Sequence, residues 1–135
     1  MKTTLVDSNV LLDIATRDPE WFTWSSQALE NVANDSPLAI NALIYAEVSI
    51  SYQRVEDLEE AIPFETFRRE PLPYEAAFLA GKAFLRYRRR GGARTSPLPD
   101  FFIGAHAAVA GLRLLTRDAR RYRSYFPTVE LIAPE

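Results

Sequence analysis

Residues 3–12 read Thr3-Thr4-Leu5-Val6-Asp7-Ser8-Asn9-Val10-Leu11-Leu12. The first half is β-branched and apolar without helical spacing, as a buried strand is. After Ser8 the period changes, and Val10, Leu11 and Ile14 recur at the spacing of a helix face. Asp7 therefore stands where a strand ends and a helix begins. In an open α/β sheet that edge borders the crevice where ligands bind. An acid at this point has two readings, a helix N-cap or a functional carboxylate, and Ser8 or Asn9 would serve equally well as the cap.

Working outward, Asp18-Pro19-Glu20 marks a break, and Trp21, Trp24, Ala28, Leu29 and Val32 give a helix from Glu20 to about Asn34. Asp35-Ser36-Pro37 ends it. Leu38–Ile40 is a second strand, and Asn41 caps a helix reaching about Tyr52. A charged helix over Val55–Ala61 and an extended segment from Phe64 to Leu72 follow. Pro73 opens a long helix that stops at Gly91-Gly92, a C-terminal signal. The loop from Gly91 to Pro99 is polar and flexible at its start and stiffened by prolines at its end. Asp100–Ala110 is an apolar helix closed by Gly111, and Arg113–Thr116 a strand. Asp118–Tyr125 is a helix and Val129–Ile132 a last strand. Strands alternating with helices predict one α/β domain over residues 1–135: a central parallel sheet of four to five strands, helices on both faces, wound right-handed.

Composition narrows the class. The chain of 135 residues is 47% apolar and 25% charged, as ordinary globular domains are. It has no run of eighteen apolar residues and no basic stretch leading into an apolar signal core, so the expectation is a cytoplasmic protein without a membrane partner. No cysteine is present and only one histidine, which excludes disulfides and thiolate metal sites and disfavours a conventional zinc site. The net charge of −2 hides an asymmetry. Residues 1–80 carry five basic and fourteen acidic side chains, residues 81–123 eleven basic and two acidic. The basic part is almost all arginine, suited to bidentate phosphate contacts.

Four acids are candidates for chemistry. Glu47 has Leu43, Ile44, Ala46 and Ile50 around it on a helix at 100° per residue, which puts it within the apolar face. A carboxylate there is costly unless paired with a cation or bound to metal. Asp100 opens a helix that is apolar nearly all round, and Asp118 follows a strand end; either is also a candidate cap. Asp7 and Asp118 just past strand ends, with Glu47 and Asp100 in first helical turns, would gather on one sheet edge. Two carboxylates about 5 Å apart repel by roughly 3 kcal/mol at an effective dielectric near 20. Four together raise one another's pKa unless cations neutralise them. All-oxygen donors select hard ions, Mg²⁺ or Mn²⁺, which orient water and stabilise the leaving oxygen of a phosphodiester.

The ordered set Val6-Asp7-Ser8-Asn9-Val10-Leu11-Leu12, Glu47, Pro99-Asp100-Phe101-Phe102-Ile103-Gly104-Ala105-His106-Ala107 and Leu115-Thr116-Arg117-Asp118 resembles the PIN domain. More narrowly it resembles VapC-type toxins of bacterial and archaeal toxin–antitoxin pairs, over nearly the whole chain. The resemblance implies a Mg²⁺- or Mn²⁺-dependent endoribonuclease. Asp7, Glu47, Asp100 and Asp118 would be its metal ligands and catalytic acids, with Asn9 and Thr116 as hydrogen-bonding neighbours. It further implies products with 5′-phosphate and 3′-hydroxyl ends, a cognate antitoxin and a homodimer. Receiver domains need a lysine after a late strand, and Lys2 and Lys82 are the only lysines here. Haloacid-dehalogenase-type phosphatases need an Asp where this chain has Asn9. Two alternatives stay open: an RNA-binding PIN-fold protein without catalysis, and a metal-dependent nuclease, DNA included, with no antitoxin.

Arg86, Arg89 and Arg90 recur along the long helix with Lys82 and Arg88, and Arg94 follows them. They form either a solvated face favourable to the helix C-terminus or an RNA-tracking stripe leading to Asp100. Arg117, Arg120, Arg121 and Arg123 would extend it, with Tyr122 and Tyr125 for base stacking. Helical spacing turns His106 away from Asp100, as a packed, hydrogen-bonded histidine. Asp13 supports the site or is exposed. Trp21, Phe22 and Trp24 are bulky for a peripheral helix, which fits core packing or an antitoxin or dimer contact.

Overall fold

Strand β1 (Thr4–Val6) is buried on every residue, which places it at the centre of the sheet and explains its unbroken apolar reading. The computed structural model describes residues 2–94 and 98–135. Residues 95–97 of the expected Gly91–Pro99 loop lie outside the described residues. From β1 the chain runs through α1 (Ser8–Ala15) and α2 (Phe22–Asp35) to β2 (Leu38–Ile40). It continues through α3 (Ala42–Ser49) and α4 (Val55–Ala61) to β3 (Phe67–Arg69). The long α5 (Tyr74–Arg89) and α6 (Pro99–Ala110) lead to β4 (Arg113–Leu115), and α7 (Arg120–Tyr125) leads to β5 (Leu131–Ile132).

The five strands pair in the order β3-β2-β1-β4-β5, and all are parallel: Leu5 lies beside Ala39 and Leu114, Leu38 beside Phe67, and Leu115 beside Ile132. The chain builds outward on one side of β1 and then reverses to the other. Right-handed crossovers put α1–α4 on one face and α5–α7 on the opposite face. This is the α/β architecture expected from the sequence, with five strands. The reversal makes the ends of β1 and β4 a switch point, where a crevice opens at the C-terminal edge.

Local hydrogen bonds moved several boundaries inward. Asp18 Oδ1 accepts from the backbone N–H of Glu20 and Trp21, which holds that turn outside the helix, so α2 starts at Phe22 and not at Glu20. The backbone N–H of Asp118 donates to Thr116 Oγ1, and α7 begins only at Arg120. Helix α3 stops at Ser49, short of Tyr52. Asn41 caps it as expected, its side chain accepting from the Ile44 N–H at 3.0 Å.

Gly104 decides how α6 meets the segment after α7. A Cβ at this position would stand 2.3 Å from Phe126 Cδ2, a ring that is itself buried. Gly104→Ala should therefore force Phe126 out of place and destabilise the protein by about 1–3 kcal/mol, read as a lower midpoint in urea unfolding.

Candidate functional site

Asp7 is almost fully buried at the end of β1, and three parts of the chain converge on it. Its Oδ1 accepts from the Ser8 backbone N–H at 2.8 Å, so Asp7 itself takes the N-cap position of α1. Its Oδ2 accepts from Tyr122 Oη on α7 at 2.8 Å, from Thr116 Oγ1 after β4 at 2.9 Å, and more distantly from Asn9 Nδ2. Asn9 also donates to Thr116 Oγ1 at 3.1 Å and accepts from the Arg117 backbone N–H. Asn9 is thus occupied in tying α1 to the β4–α7 turn, and the helix start expected of it falls to Asp7.

Glu47 comes from α3 and meets Asp7 through a shared hydroxyl. Ser8 Oγ donates to Glu47 Oε1 at 2.7 Å and lies 3.5 Å from Asp7 Oδ1. The expectation for Glu47 needs correcting in two respects. It occupies the sixth position of an eight-residue helix rather than the first turn. Ala46 is exposed and Ile50 is 85% exposed, so Glu47 stands half-buried at the rim of the crevice and not inside an apolar face. No cation pairs with it among the described residues.

Asp100 lies in the first turn of α6, partly exposed. Its Oδ1 is 3.4 Å from Tyr122 Oη, and its Oδ2 is 3.3 Å from Arg121 Nη1. The single phenolic hydrogen of Tyr122 goes to the closer carboxylate, Asp7, and faces Asp100 only at long range. Asp118 lies further out, with a side chain 55% exposed and Oδ1 3.6 Å from Arg120 Nε. Its charge reaches Asp100.

The electrostatics show the crowding. Burial pushes the Asp7 carboxyl up to about 6, the Tyr122 and Thr116 hydrogen bonds opposing it and the Asp100 and Glu47 charges adding to it. Glu47 is raised by burial, against the Ser8 hydrogen bond, and again by Asp100. Asp100 is raised by burial, with Arg121 opposing and Asp118 adding. Three mutually repelling carboxylates with little compensating charge have the donor chemistry of a hard divalent cation. Among the described residues, no three Asp, Glu or His side chains stand at the spacing of a closed metal cage; the donors match such an ion in chemistry and neighbourhood only.

Other residues singled out by sequence have different places. Tyr122 is 1% exposed, so it is a buried donor to Asp7 and not a stacking platform. In the sequence it lies in the short arginine-rich α7, RRYRSY, which gives no apolar period to orient one ring inward. His106 is packed, with Asn41 Nδ2 donating to its Nδ1 at 3.0 Å. Asp13 is buried and accepts from Ser25 Oγ at 2.7 Å and Arg117 Nε at 2.8 Å. The Arg117 guanidinium lies over Trp21, whose ring meets Trp24 edge to face. Trp21 is thus a half-buried packing surface for Arg117 in the turn after β4, and Trp24 packs against the core. The Arg86 and Arg90 guanidinium groups both lie over the Tyr125 ring, 5.7 and 5.1 Å from its centre, and Tyr125 lines a cleft of about 380 Å³ with Asp100 and Asp118. Arg89 and Arg94 are exposed.

A family model described as the PIN domain matches residues 4–126, and the chain belongs to the PIN-domain family. Among solved structures it is similar to a chain of VapBC2 from Rickettsia felis bound to a DNA fragment from its promoter, with a TM-score of 0.73, 16% identity, and 98% of this chain and 99% of that one covered. It is also similar to a chain of a toxin–antitoxin complex from Klebsiella pneumoniae, with a TM-score of 0.69, 23% identity and 98% of each chain covered. A third is FitAcB from Neisseria gonorrhoeae, with a TM-score of 0.69, 18% identity and 96% of each chain covered. At these identities the likeness is one of fold. No curated protein matches the sequence significantly.

A carboxyl whose pKa is raised on folding holds its proton in the native state after the unfolded chain has lost it. Stability therefore falls as pH rises through that interval. For Asp7, raised to about 6, the loss should come to about 3 kcal/mol between roughly pH 4 and pH 6, with Glu47 and Asp100 adding in the same direction. Urea unfolding of the ion-free protein across this range should show the decline, and Asp7→Asn should flatten it. An equally steep decline in the variant would remove Asp7 as its source.

Proposed function

We propose that the protein is an endoribonuclease that uses Mg²⁺ or Mn²⁺ and acts as the toxin of a toxin–antitoxin pair. One observation carries the nuclease reading: Asp7, Glu47 and Asp100 gather at the C-terminal edge of the sheet with carboxyls raised first by burial and then by neighbouring acid charges, Asp100 and Glu47 acting on Asp7, Asp100 on Glu47 and Asp118 on Asp100. A protein that only bound RNA would gain nothing from such a cluster beside a polyanion. Asp7, Asp100 and Glu47 would hold the ion, with Asp118 at the outer side. A divalent ion bound by them would supply Lewis-acid stabilisation of the phosphodiester and a nucleophilic water near neutral pH.

The chain's own residues do the rest. Tyr122 and Thr116 pin Asp7 Oδ2, and the Ser8 N–H fixes the carboxylate plane, so Asp7 enters the reaction already oriented. Ser8 Oγ keeps Glu47 facing the same space. Arg86 and Arg90 flank Tyr125 at the cleft that reaches Asp100 and Asp118, and Arg89 and Arg94 extend the positive surface, a route for the RNA backbone. The reaction yields 5′-phosphate and 3′-hydroxyl ends.

Two further surfaces support the partners. An apolar groove of about 450 Å³ runs between α1, α2 and α4, lined by Leu11, Ile14, Leu29, Val48 and Ile62. Ser26 also lines it, and Ser26 Oγ is buried there without a hydrogen-bond partner among the described residues. This groove suits the cognate antitoxin, a reading supported by the toxin–antitoxin complex among the solved structures of the same fold. On α5, Tyr74, Phe78 and Leu85 are 91%, 70% and 41% exposed, an apolar stripe suited to a second copy of the chain. No helix of the described residues is long and apolar enough to cross a membrane, and we place the protein in the cytoplasm.

Purified protein should cleave RNA in Mn²⁺ or Mg²⁺, lose the activity in EDTA, and lose at least about a hundredfold of it in Asp7→Asn. Cleavage that survives EDTA, or full activity in the variant, would refute the mechanism. Neutralising Arg86, Arg89 and Arg90 together should weaken RNA binding and lower the slope of log K against log salt by roughly 2; binding unchanged at every salt concentration would remove these arginines from the RNA path.

A further inference from the structure

Arg121 has no part in the four-acid scheme, yet among the described residues it is the one cation within ion-pair distance of Asp7, Glu47 or Asp100. Its contact with Asp100 is a single one, Nη1 to Oδ2 at 3.3 Å. That is longer than a close charge-assisted bond and leaves the second face of the guanidinium fork unused. The group is held from behind by two rings, its centre 5.7 Å from Tyr87 and 5.6 Å from Phe101. The Arg121 side chain is 35% exposed. It opens into the polar cleft of about 380 Å³ that Asp100, Asp118, Arg120, Ser124 and Tyr125 also line.

This placement is unusual in its consequences. Asp100 Oδ1 faces Tyr122 at long range and Oδ2 faces Arg121, so the guanidinium sits against the carboxylate that would also hold a divalent cation. Two cations cannot share it without strong repulsion. An arginine released from Asp100 stays on its aromatic shelf, beside the open cleft, with a planar fork matched to phosphate.

We propose that Arg121 is a stored cation: it neutralises Asp100 when the acids hold no ion, and turns on the Tyr87–Phe101 shelf to take a phosphate oxygen of the RNA when they do. The inference rests on the metal-dependent ribonuclease reading and adds to it a residue that competes with the ion and binds the substrate. The two roles pull a substitution in opposite directions, which a purely structural residue would not do.

The test compares the full-length wild type with Arg121→Gln and Arg121→Lys. Mn²⁺ affinity is measured by isothermal titration calorimetry without RNA. RNA affinity is measured in Ca²⁺ by fluorescence anisotropy of a labelled single-stranded RNA. Arg121→Gln should bind Mn²⁺ at least about fivefold more tightly, the competing charge being gone. The same variant should bind RNA about tenfold more weakly, the phosphate contact being lost. Arg121→Lys keeps the charge but not the fork, so its Mn²⁺ affinity should stay near wild type while RNA affinity falls. Mn²⁺ binding unchanged or weaker in Arg121→Gln, or RNA binding unchanged, overturns the proposal alone. A wild type that binds no Mn²⁺ overturns the nuclease reading and this inference with it.

Discussion

The carboxylate of Asp7 is shut away from water at the end of the central strand, and the structure around it is an answer to that cost. A buried charge needs donors, and here they are the Ser8 N–H beside it and two from distant parts of the chain, Thr116 after β4 and Tyr122 on α7. Each bond ties a different element to β1. The first starts α1, the second fixes the β4–α7 turn, and the third draws α7 across the sheet edge so that Asp100 on α6 lies within reach of the same phenol. Satisfying one carboxylate therefore assembles the edge on which the other acids stand.

The donors do not cancel the cost. Asp7 is still raised to about 6, burial outweighing the hydrogen bonds, and Asp100 and Glu47 push it the same way. A site built only for stability would have replaced one acid or brought a strong cation to it. Instead the nearest cation, Arg121, makes one long contact to Asp100 and stays partly in solvent. Stability is held back at the same edge where the fold opens its crevice, a coincidence that functional sites share. Outside that edge the buried ionisable groups are conventionally paired: Asp13 with Ser25 and Arg117, and His106 with Asn41.

The order of elements was legible because each carries a local signal. Asn41 announces the start of α3, Gly111 its role as the left-handed close of α6, and the apolar runs of β1 and β4 mark strands buried on both faces. Boundaries shifted where a side chain competed with the helix for a backbone N–H, as Asp18 and Thr116 do, a contest that composition does not reveal. Glu47 was misjudged because helical spacing locates a face but not what covers it. Ala46 and Ile50 share that face and nothing is packed on them. Tyr122 was missed as a member of the site because its aromatic ring and its hydroxyl serve different masters, the core and Asp7, and periodicity registers only the first.

By itself the sequence determined the α/β class, the parallel winding and the family resemblance, and it named the candidate acids, since these depend on period, turn chemistry and residue type along a short span. Only the tertiary structure decided which acids meet. It brought Asp7, Glu47 and Asp100 into mutual electrostatic range, left Asp118 at the periphery beside Arg120, put Tyr122 beneath them and set Arg121 against Asp100. The reason is physical: a carboxylate's protonation and partners depend on burial, on neighbouring charges and on hydrogen-bond donors that arrive from residues up to 115 positions away, and no local pattern encodes those distances.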